Sequence, residues 1–184
     1  MSSHLVSNHS PPSRPSVSLH TLLTLDGFVA DPSHPEIAKL EIEPLCQFML
    51  ERSDTLILGR PTYLDIVNAG EWPYPEHTAH VLSRHKDWAL THPSIKSSTD
   101  SLSTLLSQLE QQGMQRAWLI GGRRLVIAAL ADHVLDELVI HLLPITQQQG
   151  RPFFDQHHLS QFDLLDVQRL PQGIVRMQYR VSYV

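Results

Sequence analysis

The sequence predicts an α/β domain with a mostly parallel central sheet, helices on both faces of the sheet, and an antiparallel C-terminal edge. Short apolar runs alternate with helix-like segments along most of the chain, which favours parallel strands joined by helices. Glycines stand at the ends of several runs, as expected where a strand turns tightly into a helix. The last two runs, residues 161–170 and 174–184, flank a turn-forming stretch at 171–173 and predict a hairpin.

Composition limits the class of protein. The chain has 184 residues, of which 41% are hydrophobic and 18% charged, and these values fit one globular domain. A net charge of −5 argues against general nucleic-acid binding. The single cysteine, Cys46, excludes an internal disulfide and suits a reducing compartment. With no secretory signal and no apolar run of membrane length, we expect a cytoplasmic protein without a membrane partner.

The domain is expected to start at residue 17, because residues 1–16 are rich in Ser, Pro, His and Asn and read as a disordered tail. Residues 17–184 then form the single domain. Its strands are predicted at 17–25, 54–58, 79–82, 116–120, 134–143, 161–170 and 174–184. Two short runs, 88–90 and 95–96, are further strand candidates.

Four helices are predicted between these strands. The clearest covers residues 101–112, where leucines recur at i, i+3, i+4 and i+7, with Asp100 or Ser101 as cap and Gly113 as stop. Two others begin near Pro44 and Pro61, since proline suits the first helical turn. The fourth follows a pair of glycines after the strand 116–120 and ends near residue 132.

Residues suited to ligand binding follow four of the strands. They are Asp26-Gly27, Gly59-Arg60, Ser83-Arg84 and Gly121-Gly122-Arg123. Ligands bind at the carboxyl ends of the strands in sheets of this type. Glycines let a backbone approach a ligand closely, the N-terminus of a helix favours an anion, and arginine suits phosphate. The sequence therefore predicts a diphosphate-binding site at the carboxyl edge of the sheet.

These strand ends, in this order, resemble the dihydrofolate-reductase-like fold. More narrowly, the chain resembles the reductase domain at the C-terminus of riboflavin-biosynthesis deaminase–reductases, and its free-standing bacterial relatives. The matching segments are TLDGFVA at 24–30, LGRPTY at 58–63, WPY at 72–74, VLSR at 81–84, WLIGG at 118–122 and DEL at 136–138, with Pro144 and Gly150. The resemblance covers the chain from residue 17 onward and implies a three-layer sandwich. The H-x-E and P-C-x-x-C zinc ligands of the deaminase domain are missing, so a stand-alone reductase is implied.

The resemblance implies NADPH as the cofactor. The residues that would bind it are Gly59, Arg60, Thr62, Leu82, Ser83, Arg84, Gly121, Gly122 and Arg123. The first three would meet the phosphates at a helix N-terminus, the next three would hold the adenine ribose, and the two adjacent glycines would lie against the diphosphate. Ser83 and Arg84 would read the 2′-phosphate, for which arginine is suited, whereas NAD sites place an acid on the ribose. Arg123 stands where the family often has a third glycine. Its side chain can either bind the diphosphate or block it sterically.

Each of these residues also has a structural interpretation. Arg60 could pair with a surface acid, and Ser83-Arg84 could be a plain loop. Asp26 is the catalytic candidate, as a proton donor, although its place in a turn favours a structural role as a turn residue. Gly27 and Trp72 are assigned to the substrate pocket, although Trp72 could fill the core instead. Four loop acids are further candidate donors: Asp31, Glu36, Glu41 and Glu43.

The leading hypothesis is an NADPH-dependent oxidoreductase that transfers a hydride to a small pterin- or pyrimidinone-like heterocycle or carbonyl compound. Such an enzyme would be similar to 5-amino-6-(5-phosphoribosylamino)uracil reductase or dihydrofolate reductase. The alternative is a non-catalytic NADP(H)-binding sensor or relic, and a flavin- or metal-dependent enzyme is a third possibility. A homodimer is implied by the resemblance alone.

The twelve histidines match no metal motif and are interpreted as surface residues. Asp136-Glu137 is interpreted as a solvated face or a subunit contact.

Overall fold

The described part of this computed structural model comprises residues 14–31, 33–85, 90–153 and 161–183, and it contains eight strands and four α-helices. The strands are Ser16–Thr24 (β1), Thr55–Gly59 (β2), Ala79–Leu82 (β3), Ile95–Ser98 (β4), Arg116–Ile120 (β5), Glu137–Leu143 (β6), Gln161–Arg169 (β7) and Val175–Ser182 (β8). The helices are Glu43–Leu50 (α1), Arg60–Ala69 (α2), Leu102–Gln111 (α3) and Arg123–Ala131 (α4). None of these helices has the length and apolar character needed to cross a membrane.

All eight strands belong to one sheet, in the order β4-β3-β2-β5-β1-β6-β8-β7. The first six in this order pair in parallel, and β8 pairs antiparallel with both β6 and β7. The C-terminal hairpin thus forms the antiparallel edge, and the predicted fold class is confirmed. The carboxyl ends of the six parallel strands all lie at one edge of the sheet.

Alternation along the strands gives the sheet two different apolar faces. On one face, Leu19 and Leu119 pack with leucines of α3 and with residues of α4. On the other face, Leu56 and Trp118 pack with residues of α1 and α2, among them the fully buried Tyr63. Two helices therefore cover each face, and the layers are helix, sheet and helix.

The segment before β6 serves a structural purpose that the sequence did not reveal. Both carboxylate oxygens of Asp136 accept hydrogen bonds from Arg14, at 2.7 and 3.0 Å, and one also accepts from the backbone N–H of Val17 at 2.7 Å. Glu137 accepts from the Ser18 hydroxyl at 3.2 Å. The interpretation of these acids as a solvated face is therefore wrong, whereas a subunit contact stays a prediction. Their hydrogen bonds hold the start of β1 against β6. Strand β6 itself begins at Glu137 and not at residue 134 as predicted.

The remaining predicted elements agree with the structure to within a few residues. Strand β1 begins at Ser16, α1 begins one residue before Pro44, and the 95–96 run is part of β4. Ser101 caps α3 through its side chain, which accepts from Thr104 N, as predicted. Residues 1–13, most of the predicted tail, lie outside the described part, as do residues 88 and 89 of another predicted strand.

Candidate functional site

The strands that precede the predicted cofactor residues are neighbours in the sheet. Leu58 of β2 is in register with Ile120 of β5, and Gly59 of β2 is in register with Leu82 of β3. The chain reverses after each of these positions at the carboxyl edge. The strand ends that carry Ser83, Gly59 and Gly121 therefore follow one another along that edge.

Two helix N-termini meet at this place without a capping side chain. The N-cap of α2 is Gly59 and the N-cap of α4 is Gly122, and neither residue has a side chain that could accept from the first-turn N–H groups. Helix α3, by contrast, is capped by Ser101. Arg60 and Arg123 are the first residues of α2 and α4. Uncapped N–H groups, the positive end of the helix dipole and adjacent arginines together favour an anionic ligand.

The two junctions also touch each other. Gly121 and Gly122 have φ angles of +48° and +87°, which side-chain-bearing residues rarely adopt. A Cβ atom placed on Gly122 would lie 3.1 Å from Oγ1 of Thr62, and one on Gly121 would lie 3.9 Å from Cγ2 of the same threonine. The structure thus brings Thr62 against both glycines, and the absence of side chains there keeps the backbone of this cradle open.

The third strand end lies beside this cradle. The hydroxyl of Ser83 accepts a hydrogen bond from His85 N at 3.1 Å, and Ser83 N donates to Ser98 O at 2.9 Å. Arg84 is exposed, whereas Leu82 is half-buried and packs against the core. Leu82 can therefore contribute to a ligand site mainly through its backbone. Arg84 follows β3, the strand that pairs with β2, and its contact with a 2′-phosphate stays a prediction.

Asp26 is an anchoring residue in this structure. Its carboxylate accepts hydrogen bonds from the Thr24 hydroxyl at 2.6 Å and from the backbone N–H groups of Gln147 and Gln148 at 3.3 and 2.8 Å. These bonds, that from Thr24 first, hold the pKa of Asp26 below its ordinary value. A carboxylate kept ionised in this way ties the end of β1 to the loop after β6, which supports its interpretation as a turn residue and not as a proton donor.

The two residues assigned to the substrate pocket differ in their surroundings. Gly27 is exposed at the turn after β1 and has a φ of +82°. Trp72 is 8% exposed, lies in the core cluster that contains Tyr63 and Trp118, and donates its indole N–H to Tyr74 O at 3.0 Å. For Trp72 this burial supports the core interpretation.

Three histidines are not surface residues, which corrects the interpretation made from the sequence. His80 and His141 are buried in strands, and His20 is half-buried with its Nε2 2.7 Å from Nδ1 of His141. Burial lowers the pKa of His20 to about 3, with repulsion from His141 as the second cause. Burial likewise lowers the pKa values of His80 and His141 to about 4. The residues that the structure describes contain no cluster of three or more His, Cys, Asp or Glu side chains that could hold a metal.

His141 also lines a pocket of about 140 Å³ that the sequence analysis did not predict. It is formed between α1, the end of β6 and the start of β8, and its walls include Leu45, Phe48, His141, Ile174 and Arg176. A polar residue within an apolar strand, as at His141, was the one local signal for it. The proximity of His20 to His141 could not be read from the sequence because the residues are 121 positions apart.

Comparisons with known proteins agree with the fold. The family model described as the RibD C-terminal domain matches residues 15–176. A solved structure of a protein from Shewanella sp. PV-4, provisionally assigned to riboflavin biosynthesis, is similar over 91% of this chain and 99% of its own, with 22% identity and a TM-score of 0.73. A pyrimidine reductase-like protein of Corynebacterium diphtheriae is similar over 92% of this chain and 93% of its own, with 15% identity and a TM-score of 0.68.

A longer protein is similar as well. It is a diaminohydroxyphosphoribosylaminopyrimidine deaminase/5-amino-6-(5-phosphoribosylamino)uracil reductase of Thermotoga maritima, with 16% identity and a TM-score of 0.68. The similarity covers 92% of this chain but 57% of the Thermotoga protein, so the chain spans little more than half of that two-activity enzyme. No curated protein sequence matches this chain.

Proposed function

This chain belongs to the RibD C-terminal domain family, and from that premise we propose that it is an NADPH-dependent oxidoreductase acting on a small heterocyclic or carbonyl-bearing substrate. The observation that carries the proposal is the contact between two uncapped helix N-termini at neighbouring strand ends, with Thr62 against Gly121 and Gly122. A backbone cradle that a Cβ would fill is the kind of site that a diphosphate needs.

The residues present fit the cofactor. Backbone N–H groups at the starts of α2 and α4 would hold the diphosphate, and the exposed Arg84 would bind the 2′-phosphate. When bound, NADPH supplies a hydride. The chain would contribute position and a fixed electrostatic environment, which is the usual share of a protein in cofactor chemistry.

The substrate class is proposed from the similar proteins. One of them is called pyrimidine reductase-like and another includes a uracil-derivative reductase activity. A pyrimidinone or pterin ring is the corresponding substrate for this chain. The test is NADPH oxidation followed at the nicotinamide absorbance with a panel of pyrimidinones, pterins and quinones. Turnover of one ring class supports the proposal, and failure to bind NADPH at all overturns it.

One observation favours the alternative, a protein that binds NADP(H) without turnover. The carboxylate of Asp26 accepts three hydrogen bonds and its pKa is lowered, so this candidate proton donor is poorly suited to give a proton. Tight NADPH binding together with no oxidation of the cofactor by any member of the panel would support the sensor over the reductase.

The preference for NADPH over NADH is expected to depend on Arg84. Replacing Arg84 with alanine should weaken NADPH binding by about 10- to 100-fold, since a charge-assisted contact to phosphate is lost. NADH binding should change less than about twofold, because NADH lacks that phosphate. Fluorescence titrations of both cofactors measure the difference, with Arg180→Ala, an exposed arginine of β8, as the control. An equal loss of affinity for NADPH and NADH would show that Arg84 does not bind the 2′-phosphate.

A homodimer and a cytoplasmic location complete the proposal. In support of the dimer, the edge strand β7 exposes Leu164, Leu165 and Val167 by 56%, 50% and 53%. Exposed apolar side chains on an edge strand, whose outer side has no strand partner, are unfavourable in a monomer and favour association. Light scattering of the purified protein should give twice the mass of one chain, and Leu165→Lys together with Val167→Lys should give a monomer. A monomeric wild-type protein would contradict the dimer without affecting the proposed activity.

A further inference from the structure

The pocket between α1, β6 and β8 has apolar walls and room for one small ring. Leu45 and Phe48 of α1 stand on one side and Ile174 on another. Its volume of about 140 Å³ is close to that of an engineered cavity in another protein that accepts benzene, on the order of 150 Å³. A pocket of this volume with apolar walls can hold the flat faces of a single six-membered ring.

Two buried polar atoms of pocket residues lack a hydrogen-bond partner among the described residues. They are Nε2 of His141 and Nε of Arg176. The side chain of His141 is fully buried, and its other ring nitrogen, Nδ1, is already bonded to His20. Buried polar groups in folded proteins are rarely left without a partner, and where this happens at a pocket a ligand or water is expected to satisfy them.

The guanidinium of Arg176 is held in place but is not neutralised. It lies 3.7 Å from the centre of the Phe48 ring, and one terminal nitrogen donates to the side chain of Gln168. The ion pairs of the described residues do not include Arg176. Asp166 attracts it from beyond ion-pair distance, while Arg52 repels it. A fixed cation without a close carboxylate is suited to an oxygen acceptor with negative charge.

The histidine pair determines what His141 presents to the pocket. The bond between His20 Nε2 and His141 Nδ1 can have either ring as donor. When His20 donates, the neutral His141 carries its proton on Nε2 and presents a donor beside Arg176. When His141 donates, the same Nε2 becomes an acceptor. A ligand oxygen at this position would select the first tautomer.

We propose that this pocket binds the substrate ring, and that Nε of Arg176 and Nε2 of His141 donate hydrogen bonds to oxygen atoms on the edge of that ring. The class of substrate is therefore a planar heterocycle with an acceptor edge, carbonyl or carboxylate, and an anionic edge binds more tightly. This inference rests on the proposed function, because it assigns a binding place to the substrate of the proposed reductase. Arg176 and His141 are its specificity-determining residues.

The test uses uracil and orotate as probes, one with neutral carbonyl oxygens and the other with an added carboxylate. Each is titrated by calorimetry into the full-length protein saturated with NADP⁺, which binds without turnover. Orotate should bind more tightly than uracil. The substitution Arg176→Met should weaken orotate binding by at least about tenfold, whereas Arg180→Met on the same strand should change it less than about twofold. Arg176→Lys should not restore the affinity, because lysine lacks the Nε–H.

A second measurement needs no variant. In wild-type protein with ¹⁵N-labelled histidine, orotate should shift the ring nitrogens of His141 and leave those of the remote His92 unchanged. Equal orotate affinity in wild type and Arg176→Met, or orotate binding no tighter than uracil, overturns the role of Arg176. A protein that binds NADP⁺ but neither probe overturns the pocket assignment and leaves the proposed cofactor site standing. Failure to bind NADP⁺ would instead count against the proposed function.

Discussion

Replacing Gly122 with valine is expected to lower NADPH affinity by at least about 100-fold. Gly122 has a φ of +87°, and a Cβ there would lie 3.1 Å from Oγ1 of Thr62. A β-branched side chain would strain the backbone and press against Thr62, which would displace the N-terminus of α4 from the position in which its N–H groups could bind an anion. NADPH titration by fluorescence measures the loss, and circular dichroism checks that the chain stays folded.

The matched control is Gly113→Val. Gly113 has a φ of +79°, but a Cβ there would meet nothing within 4 Å, and it follows α3 at the opposite edge of the sheet from the cradle. It therefore reproduces the backbone strain without touching the cofactor site. Gly113→Val should lower stability by about 1–3 kcal/mol and leave NADPH affinity within about twofold. Equal losses of NADPH affinity in the two variants would show that strain, and not the cradle, is responsible.

Acidification from pH 7 to pH 4.5 is expected to lower the free energy of unfolding strongly. Burial holds the pKa values of His20, His80 and His141 at about 3, 4 and 4, well below the ordinary 6.5. Below pH 6.5 the unfolded chain therefore binds protons that the folded chain does not. Stability is complete above pH 6.5 and falls as the pH drops towards these folded values, by up to about 1.4 kcal/mol per pH unit for each histidine.

The summed loss by pH 4.5 is on the order of 3–6 kcal/mol, comparable with the whole stability of many domains. Urea unfolding at pH 7.5, 6.5, 5.5 and 4.5 measures it. The substitution His80→Leu should flatten the pH dependence by up to about 1.4 kcal/mol per pH unit. As a control, Val81→Ala in the same strand removes a buried side chain that does not titrate, so it should lower stability equally at every pH. A wild-type protein whose stability does not change between pH 7 and pH 5 would contradict the burial of neutral histidines.

The cofactor side of the site was predictable because its signals are local. A glycine after an apolar run predicts a turn into a helix, and the arginine beside it predicts an anion, without knowledge of the rest of the chain. Gly59 and Gly122 became the N-caps of α2 and α4 as this pattern requires. The contact of Thr62 with Gly122 was not predicted and is visible only in the structure. The binding roles of these residues stay predictions.

The errors all concern residues whose environment is set by distant segments. His141 was interpreted as a surface residue, but it is buried and lies against His20, 121 positions earlier. Asp136 looked like an exposed acid, but Arg14, 122 positions earlier, pairs with it. A single sequence gives the polarity of such residues, but it does not say which side chain will face them.

By itself, the sequence determined the alternation of strands and helices, the parallel sheet with its antiparallel hairpin, and the glycine turns at the strand ends. These features follow from periodicity and backbone freedom over a few residues. The tertiary structure alone decided that His141 would contact His20 on one neighbouring strand and lie opposite Arg176 on the other, because the three residues come from strands that are adjacent only in the order β1-β6-β8. Strand order is fixed by how the helices cover both faces of the sheet, and that packing brings His141 and Arg176 to one pocket.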